Sequence, residues 1–130
     1  SLFRITKSNI RVAEPAGSPF DRQVGEQRSQ GVEFDLAAQP LPSLRAEVGY
    51  AFVDAEVTRD RLLAGRQLQS TPRHSASLWT RWDVHSRLGL GAGLFAVSDR
   101  FVDTANSFEL QGYVRADAAL YWRPLDRLEL

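Results

Sequence analysis

From Leu44 to Val53 the chain alternates: Leu44, Ala46, Val48, Tyr50 and Phe52 fall on one side, Arg45, Glu47, Gly49, Ala51 and Val53 on the other. A period of two places successive side chains on opposite faces of an extended strand, so this stretch predicts a strand with one apolar face. Residues 32–38 repeat the pattern, with Val32, Phe34, Leu36 and Ala38 opposed to Glu33, Asp35 and Ala37. In 75–84, Ala76, Leu78, Thr80, Trp82 and Val84 face away from Ser75, Ser77, Arg81 and Asp83, and Trp79 is the large exception on the polar side. Residues 88–97 set Leu88, Leu90, Ala92, Leu94 and Ala96 against Gly89, Gly91, Gly93, Phe95 and Val97. Residues 114–123 set Val114, Ala116, Ala118, Leu120 and Trp122 against Arg115, Asp117, Ala119, Tyr121 and Arg123. The reading is strands near 1–14, 23–39, 44–58, 71–84, 88–101 and 110–123, with a further strand opening at Leu128-Glu129-Leu130 and no helix longer than about a turn.

The connections alternate in length. Pro40-Leu41-Pro42-Ser43, His85-Ser86-Arg87 and Pro124-Leu125-Asp126-Arg127 read as tight turns, whereas 15–22, 59–70 and 102–109 are longer, polar and irregular. All six prolines lie between or at the edges of patterned stretches, where a missing N–H does not break a ladder. One trimmed end and one elaborated end is how up-and-down membrane barrels are built. Length agrees: strands of roughly 13–17 residues exceed the globular mode of about 5–6 and suffice for a tilted membrane crossing of about 9–11. Trp82 and Trp122 each sit beside a short turn on the apolar face, where an interfacial aromatic girdle would lie. The expected fold class is all-β, with antiparallel up-and-down transmembrane β-barrel strands: a partial barrel of about six to seven strands from a larger one. Two alternatives alternate in the same way. One is a soluble antiparallel β-sheet binding module whose apolar face is core, and the other is a small outer-membrane barrel with a structural or adhesive role.

Composition narrows the chemistry. Sixteen basic and sixteen acidic residues balance, which argues against a nucleic-acid binder. All the cations except Lys7 are arginine, a planar multi-donor group. Cysteine is absent, excluding disulfides, thiolate metal sites and Cys nucleophiles. No run approaches 18 apolar residues, so no transmembrane helix is encoded. Methionine is absent and Ser1 is not a natural start, so the chain reads as an excerpt. His74, in Pro72-Arg73-His74-Ser75, has no nucleophile-elbow pattern around it and reads as a strand start; His85 reads as a solvated turn residue. The two histidines and scattered carboxylates lack metal-site spacing. Leu88-Gly89-Leu90-Gly91-Ala92-Gly93 is no dinucleotide loop, because its glycines alternate along a strand face; they suggest a place where lumen contents approach closely. Glu33, Asp35, Arg45, Glu47, Arg81, Asp83, Arg115, Asp117 and Arg123 mix both signs on one face, with pairing expected across neighbouring strands.

Val24-Gly25-Glu26-Gln27-Arg28-Ser29-Gln30-Gly31-Val32-Glu33-Phe34-Asp35-Leu36 resembles a strand segment of TonB-dependent siderophore receptors of Gram-negative outer membranes. Thr71-Pro72-Arg73-His74-Ser75-Ala76-Ser77-Leu78-Trp79 resembles the strand after an external loop in that family, and the segments from Leu88 and from Leu110 to Ala118 are similar to the two strands that follow. The matches occur in family order and cover nearly the whole chain. The resemblance implies that 1–130 belong to a single receptor barrel of about 22 strands with a plugged lumen. The excerpt would come from the C-terminal third of that barrel, without the plug domain, the N-terminal TonB-contacting segment or the final strand. It further implies a transporter and not an enzyme, with no cofactor: a ferric siderophore is the transported ligand, captured at the external mouth, and TonB supplies the energy. Outer-membrane lipid or lipopolysaccharide completes the implied partners, with no nucleic acid. Arg100, Phe101 and Phe108, among the charged and aromatic residues from Asp99 to Glu109, are the candidate ligand contacts, since cations and aromatics suit an anionic or catecholate-bearing complex. Interfacial girdle aromatics and loop solvation are the structural alternative. Arg59, Arg61 and Arg66, in loop 59–70, are positioned to meet lipopolysaccharide phosphates.

Overall fold

The computed structural model describes residues 1–13, 21–60 and 62–124, with side chains described for 1–9, 25–60 and 62–124. The expected strand at 128–130, the loop residues 14–20, Arg61 and the turn residues 125–127 lie outside the described residues. The described residues form eight strands: β1 (Leu2–Ala13), β2 (Asp21–Leu41), β3 (Leu44–Arg59), β4 (His74–His85), β5 (Leu88–Val97), β6 (Arg100–Phe101), β7 (Glu109–Leu110) and β8 (Tyr113–Trp122). Six make one antiparallel sheet in the order β1-β2-β3-β4-β5-β8, and β6 pairs with β7 alone.

The expected alternation becomes a belt. Directly opposed residues share a face, and the register aligns Leu36 with Val48, Val48 with Leu78, Leu78 with Leu94 and Leu94 with Ala116. Among the described residues nothing covers this apolar face: Phe34 is 51% exposed, Leu94 51% and Leu120 63%. Among the described residues the buried apolar side chains are only Ala55 and Val57. A soluble module would bury this face as its core, so that alternative fails. The one hydroxyl in the middle of the belt, Thr80, donates to the Ala92 carbonyl at 3.2 Å, so no unsatisfied donor faces outward there.

Both rims of the belt are sharp. At the turn end, Leu44 pairs with Trp82 and Leu88 with Trp122. At the loop end, Leu2, Val32, Phe52 and His74 lie in one row. There Tyr50 hydroxyl and His74 Nδ1 are 2.9 Å apart, and the Phe52 and His74 ring centroids are 5.1 Å apart. From Leu44 to Phe52 the strand runs about 26 Å at roughly 3.3 Å per residue, which a tilt of about 40° reduces to about 20 Å of height.

Beyond that row the outward face turns polar at once. Gln30 hydrogen-bonds Asp54 at 3.4 Å, Arg28 is ion-paired with Glu56, Glu26 accepts from Thr58 at 2.9 Å, and Arg73 reaches Asp54 at 4.0 Å. The apolar parity passes to the other face, where Ala55 and Val57 are buried. β2 and β3, at 21 and 16 residues, are long because they project past the belt, whereas β5 and β8, at 10 residues each, fall short of the expected 13–17 and lie within it. β2 also runs through Pro40, which the sequence assigns to the turn. A register shift between Ala38 and Leu41 accommodates a residue with no N–H to donate.

Candidate functional site

On the polar face, β5 carries a file of buried glycines, Gly89, Gly91 and Gly93. A Cβ on Gly93 would lie 2.4 Å from Cε3 of Trp79, and one on Gly91 would lie 2.9 Å from Trp79 Cζ2 and 3.1 Å from Tyr121 Cε2. The expectation that lumen contents approach these glycines is therefore corrected. The indole of Trp79, the exception in the alternation, lies in the trench they leave and meets Tyr121 from β8. Charges follow the same route. Arg81 stacks over the Tyr121 ring at 4.0 Å, and Arg123 reaches Asp83 at 3.7 Å across Gly89, so β4 and β8 touch over the strand between them. Arg81–Asp83 at 3.2 Å and Arg115–Asp117 at 2.9 Å pair within one strand, where neighbouring-strand pairs were expected. Arg115 also stacks on Phe95 at 4.7 Å. A shallow depression on this face is lined by Glu33, Asp35, Ser77, Phe95 and Arg115 among others.

The three candidate contact residues lie at the loop end. β5 stops at Val97, the Asp99 carboxylate accepts the Gly112 amide, and the chain resumes as the small hairpin β6–β7. Arg100 opposes Leu110 and Phe101 opposes Glu109, while the Val102 amide donates to Phe108 O at 3.0 Å. By alternation Arg100, Val102, Phe108 and Leu110 share one face of the hairpin, and Phe101 lies on the other. Phe108 is 70% exposed and Arg100 and Phe101 are half-buried. The structure thus brings Arg100 and Phe108 onto one surface and separates Phe101 from them.

Asp103 closes the hairpin, accepting at Oδ1 from the amides of Ser107 at 2.8 Å and Phe108 at 3.3 Å. Desolvation alone would raise its pKa, but the Ser107 and Phe108 hydrogen bonds outweigh it and hold the carboxyl below its ordinary 3.8. A group with a depressed folded pKa contributes stability above its unfolded pKa and loses it as pH falls through the folded one. Protection of the Ser107 and Phe108 amides, measured by exchange corrected for intrinsic rate, is therefore expected to fall below pH 3.8. Asp103→Asn keeps an acceptor and should abolish that step.

Sequence reasoning placed Asn106 among the residues of this junction, with Asp99, Asp103 and Glu109, but gave it no part in joining the hairpin to the neighbouring loop. Asn106, at φ 54°, accepts from the Gln67 amide at 2.8 Å and donates to the Gln67 carbonyl at 3.0 Å. The only signal was an Asn three residues after an Asp in a polar loop, a pairing suited to a turn with a left-handed residue.

An unroofed apolar belt with aromatics at both rims, backed by a polar face and trimmed to short turns at one end, is the wall of an outer-membrane β-barrel. The model of the family described as "TonB dependent receptor-like, beta-barrel" matches residues 1–130, and the chain belongs to that family. The ferrichrome outer membrane transporter/phage receptor of Escherichia coli K12 is 34% identical over 122 residues, covering 91% of this chain and 16% of that protein. The metal-pseudopaline receptor CntO of Pseudomonas aeruginosa is 32% identical over 128 residues, covering 94% and 18%. Among solved structures, the siderophore receptor PiuA of Acinetobacter baumannii matches with a TM-score of 0.83 at 26% identity, over 98% of this chain and 20% of that one. The chain thus spans about a sixth of the length of these curated relatives, at 16% and 18%. Receptors with this barrel are outer-membrane proteins of Gram-negative bacteria, which places the belt in that membrane and the longer loops outside the cell.

Proposed function

We propose that the chain is one stretch of wall in a receptor that takes up ferric siderophores with energy supplied through TonB. The observation that carries the reading is the family match over the whole chain, together with relatives whose names are those of ferrichrome and ferrioxamine B receptors. The remaining length of such a receptor would hold the plug and the TonB-contacting segment. No covalent step is required of this chain: its part is to form the wall and to present contacts at the external mouth. Arg100 and Phe108, sharing one hairpin face, supply a cation and an aromatic surface for an anionic metal complex, with Phe101 supporting from the opposite face. A metal chelate other than a ferric siderophore is the second reading, favoured by the similarity to the metal-pseudopaline receptor. In this reading the charged residues just beyond the loop-end rim, with Arg59 and Arg73 more than half exposed, are the ones that would meet lipopolysaccharide phosphates.

The test is radiolabelled uptake by the full receptor in cells lacking their own receptors, with and without TonB, offering ferric ferrichrome, ferric ferrioxamine B and metal-loaded pseudopaline. TonB-dependent uptake of a ferric siderophore is expected. Uptake of pseudopaline complexes alone favours the second reading, and uptake of none overturns both. With the accepted probe in hand, Arg100→Ala combined with Phe108→Ala should weaken binding about tenfold, the scale of 1.4 kcal/mol. Unchanged affinity removes these residues from the site.

A further inference from the structure

We infer that two external loop segments, 62–73 and 98–112, move as one body, and that Asn106 is the positioning residue that joins them. This inference stands independently of the cargo. Segment 66–68 lies along β3, with Val57 N donating to Arg66 O and Leu68 N donating to Ala55 O, both at 2.9 Å. These two bonds flank the Glu56–Gln67 pair, so the amide and carbonyl of Gln67 point away from β3. The Asn106 side chain meets both. Its Oδ1 accepts the one and its Nδ2 donates to the other, so a side-chain amide stands where the next strand's backbone would be.

Further contacts run in parallel. Arg66 Nη1 donates to Ala105 O at 2.8 Å, Thr104 Oγ1 donates to Gln69 Oε1 at 3.3 Å, and the Ser70 amide donates to Phe101 O at 2.6 Å. The ladder of the wall therefore continues from β3 through 66–68 into the hairpin that carries Arg100 and Phe108. Displacement of that hairpin draws segment 66–70 with it, and a ligand seated on the hairpin is felt at β3.

The left-handed backbone of Asn106 supplies a clean variant. Asn106→Gly preserves the conformation, which glycine adopts freely, and removes both bonds to Gln67 together with the 3.3 Å bond from Nδ2 to Asp103 O inside the hairpin. Hydrogen–deuterium exchange of the full receptor in detergent is the measurement. Because the Ser70 and Val102 amides are bonded to Phe101 O and Phe108 O and not to Asn106, a shared rise in their exchange of about tenfold is the expected result, the scale of losing two hydrogen bonds. A rise confined to 103–108, or none at all, overturns the inference. Should Asn106→Gly leave no folded barrel, shown by loss of the compact band in unheated gels, Arg66→Ala decides. It removes the contact to Ala105 alone, and unaltered exchange at Ser70 then overturns the inference.

Discussion

Leu78→Arg is expected to destabilise the folded barrel by about 2–4 kcal/mol, the depth-dependent cost of an arginine at the midplane of a membrane barrel. Leu78 lies midway along β4 on the outward face, between Val48 and Leu94, four residues from Trp82 at one rim and four from His74 at the other. A guanidinium there has no carboxylate on its face between the two rims and must reach about 10 Å to either rim at roughly 3.3 Å per residue, less the tilt. Gln30→Arg, two residues beyond Val32 on the same outward face, is the control. It stands where the face has turned polar, beside Asp54, and should cost at most about 1 kcal/mol, as near-interface positions do. Urea titration of the full receptor in lipid vesicles reads both. Equal losses for the two variants would mean that the belt does not end between Val32 and Gln30.

Gly93→Val is the second large effect, expected to cost about 1–3 kcal/mol by overpacking. The new Cβ would sit 2.4 Å from Cε3 and 2.8 Å from Cζ3 of Trp79, the cross-strand partner of Gly93. The indole must leave the trench, and because Gly91, Tyr121 and Arg81 share that space, its departure disturbs β8 as well as β4. The same substitution in a Trp79→Ala background should lose most of its effect, giving a coupling energy of about 0.5–3 kcal/mol in a double-mutant cycle. Additive losses would show that the glycines serve some purpose other than housing the indole. At Gly31 the clash would be harder to relieve, since a Cβ there lies 2.1 Å from the backbone oxygen of Phe52.

The six long strands were legible because lipid on one face and a polar lumen on the other impose alternation on every residue that crosses the membrane. The outer limit of the belt was also written in the chain, as adjacent apolar pairs. Leu2-Phe3 and Phe52-Val53 mark where the apolar parity passes from one face to the other, and the register sets both pairs at one height, with Val32 between them. Trp79 stood out as an exception and the glycines as a file, but linking them required the register, which no single strand's periodicity contains. The hairpin β6–β7 is too short to show a period. Asn106 acts through a positive φ and through the backbone of a residue 39 positions earlier, and neither leaves a pattern in side-chain polarity.

Every ladder in the large sheet joins strands that follow one another in the chain, with only the β6–β7 hairpin set between β5 and β8. Residues of the two-residue turns also extend the ladder to the strand beyond, with Asp83 N donating to Ser43 O and Arg123 N to Arg87 O. Loop closure is least costly across the two-residue links of β2–β3 and β4–β5, so the wall is expected to have an order of assembly in time. Hairpins form first and are added one after another, each new strand meeting the edge its predecessor has just exposed. The trench over β5 can fill only at the end of that sequence, when β8 arrives to bring Tyr121 against Trp79. Closure of the aromatic pair thus records that three successive strands have been laid down in register.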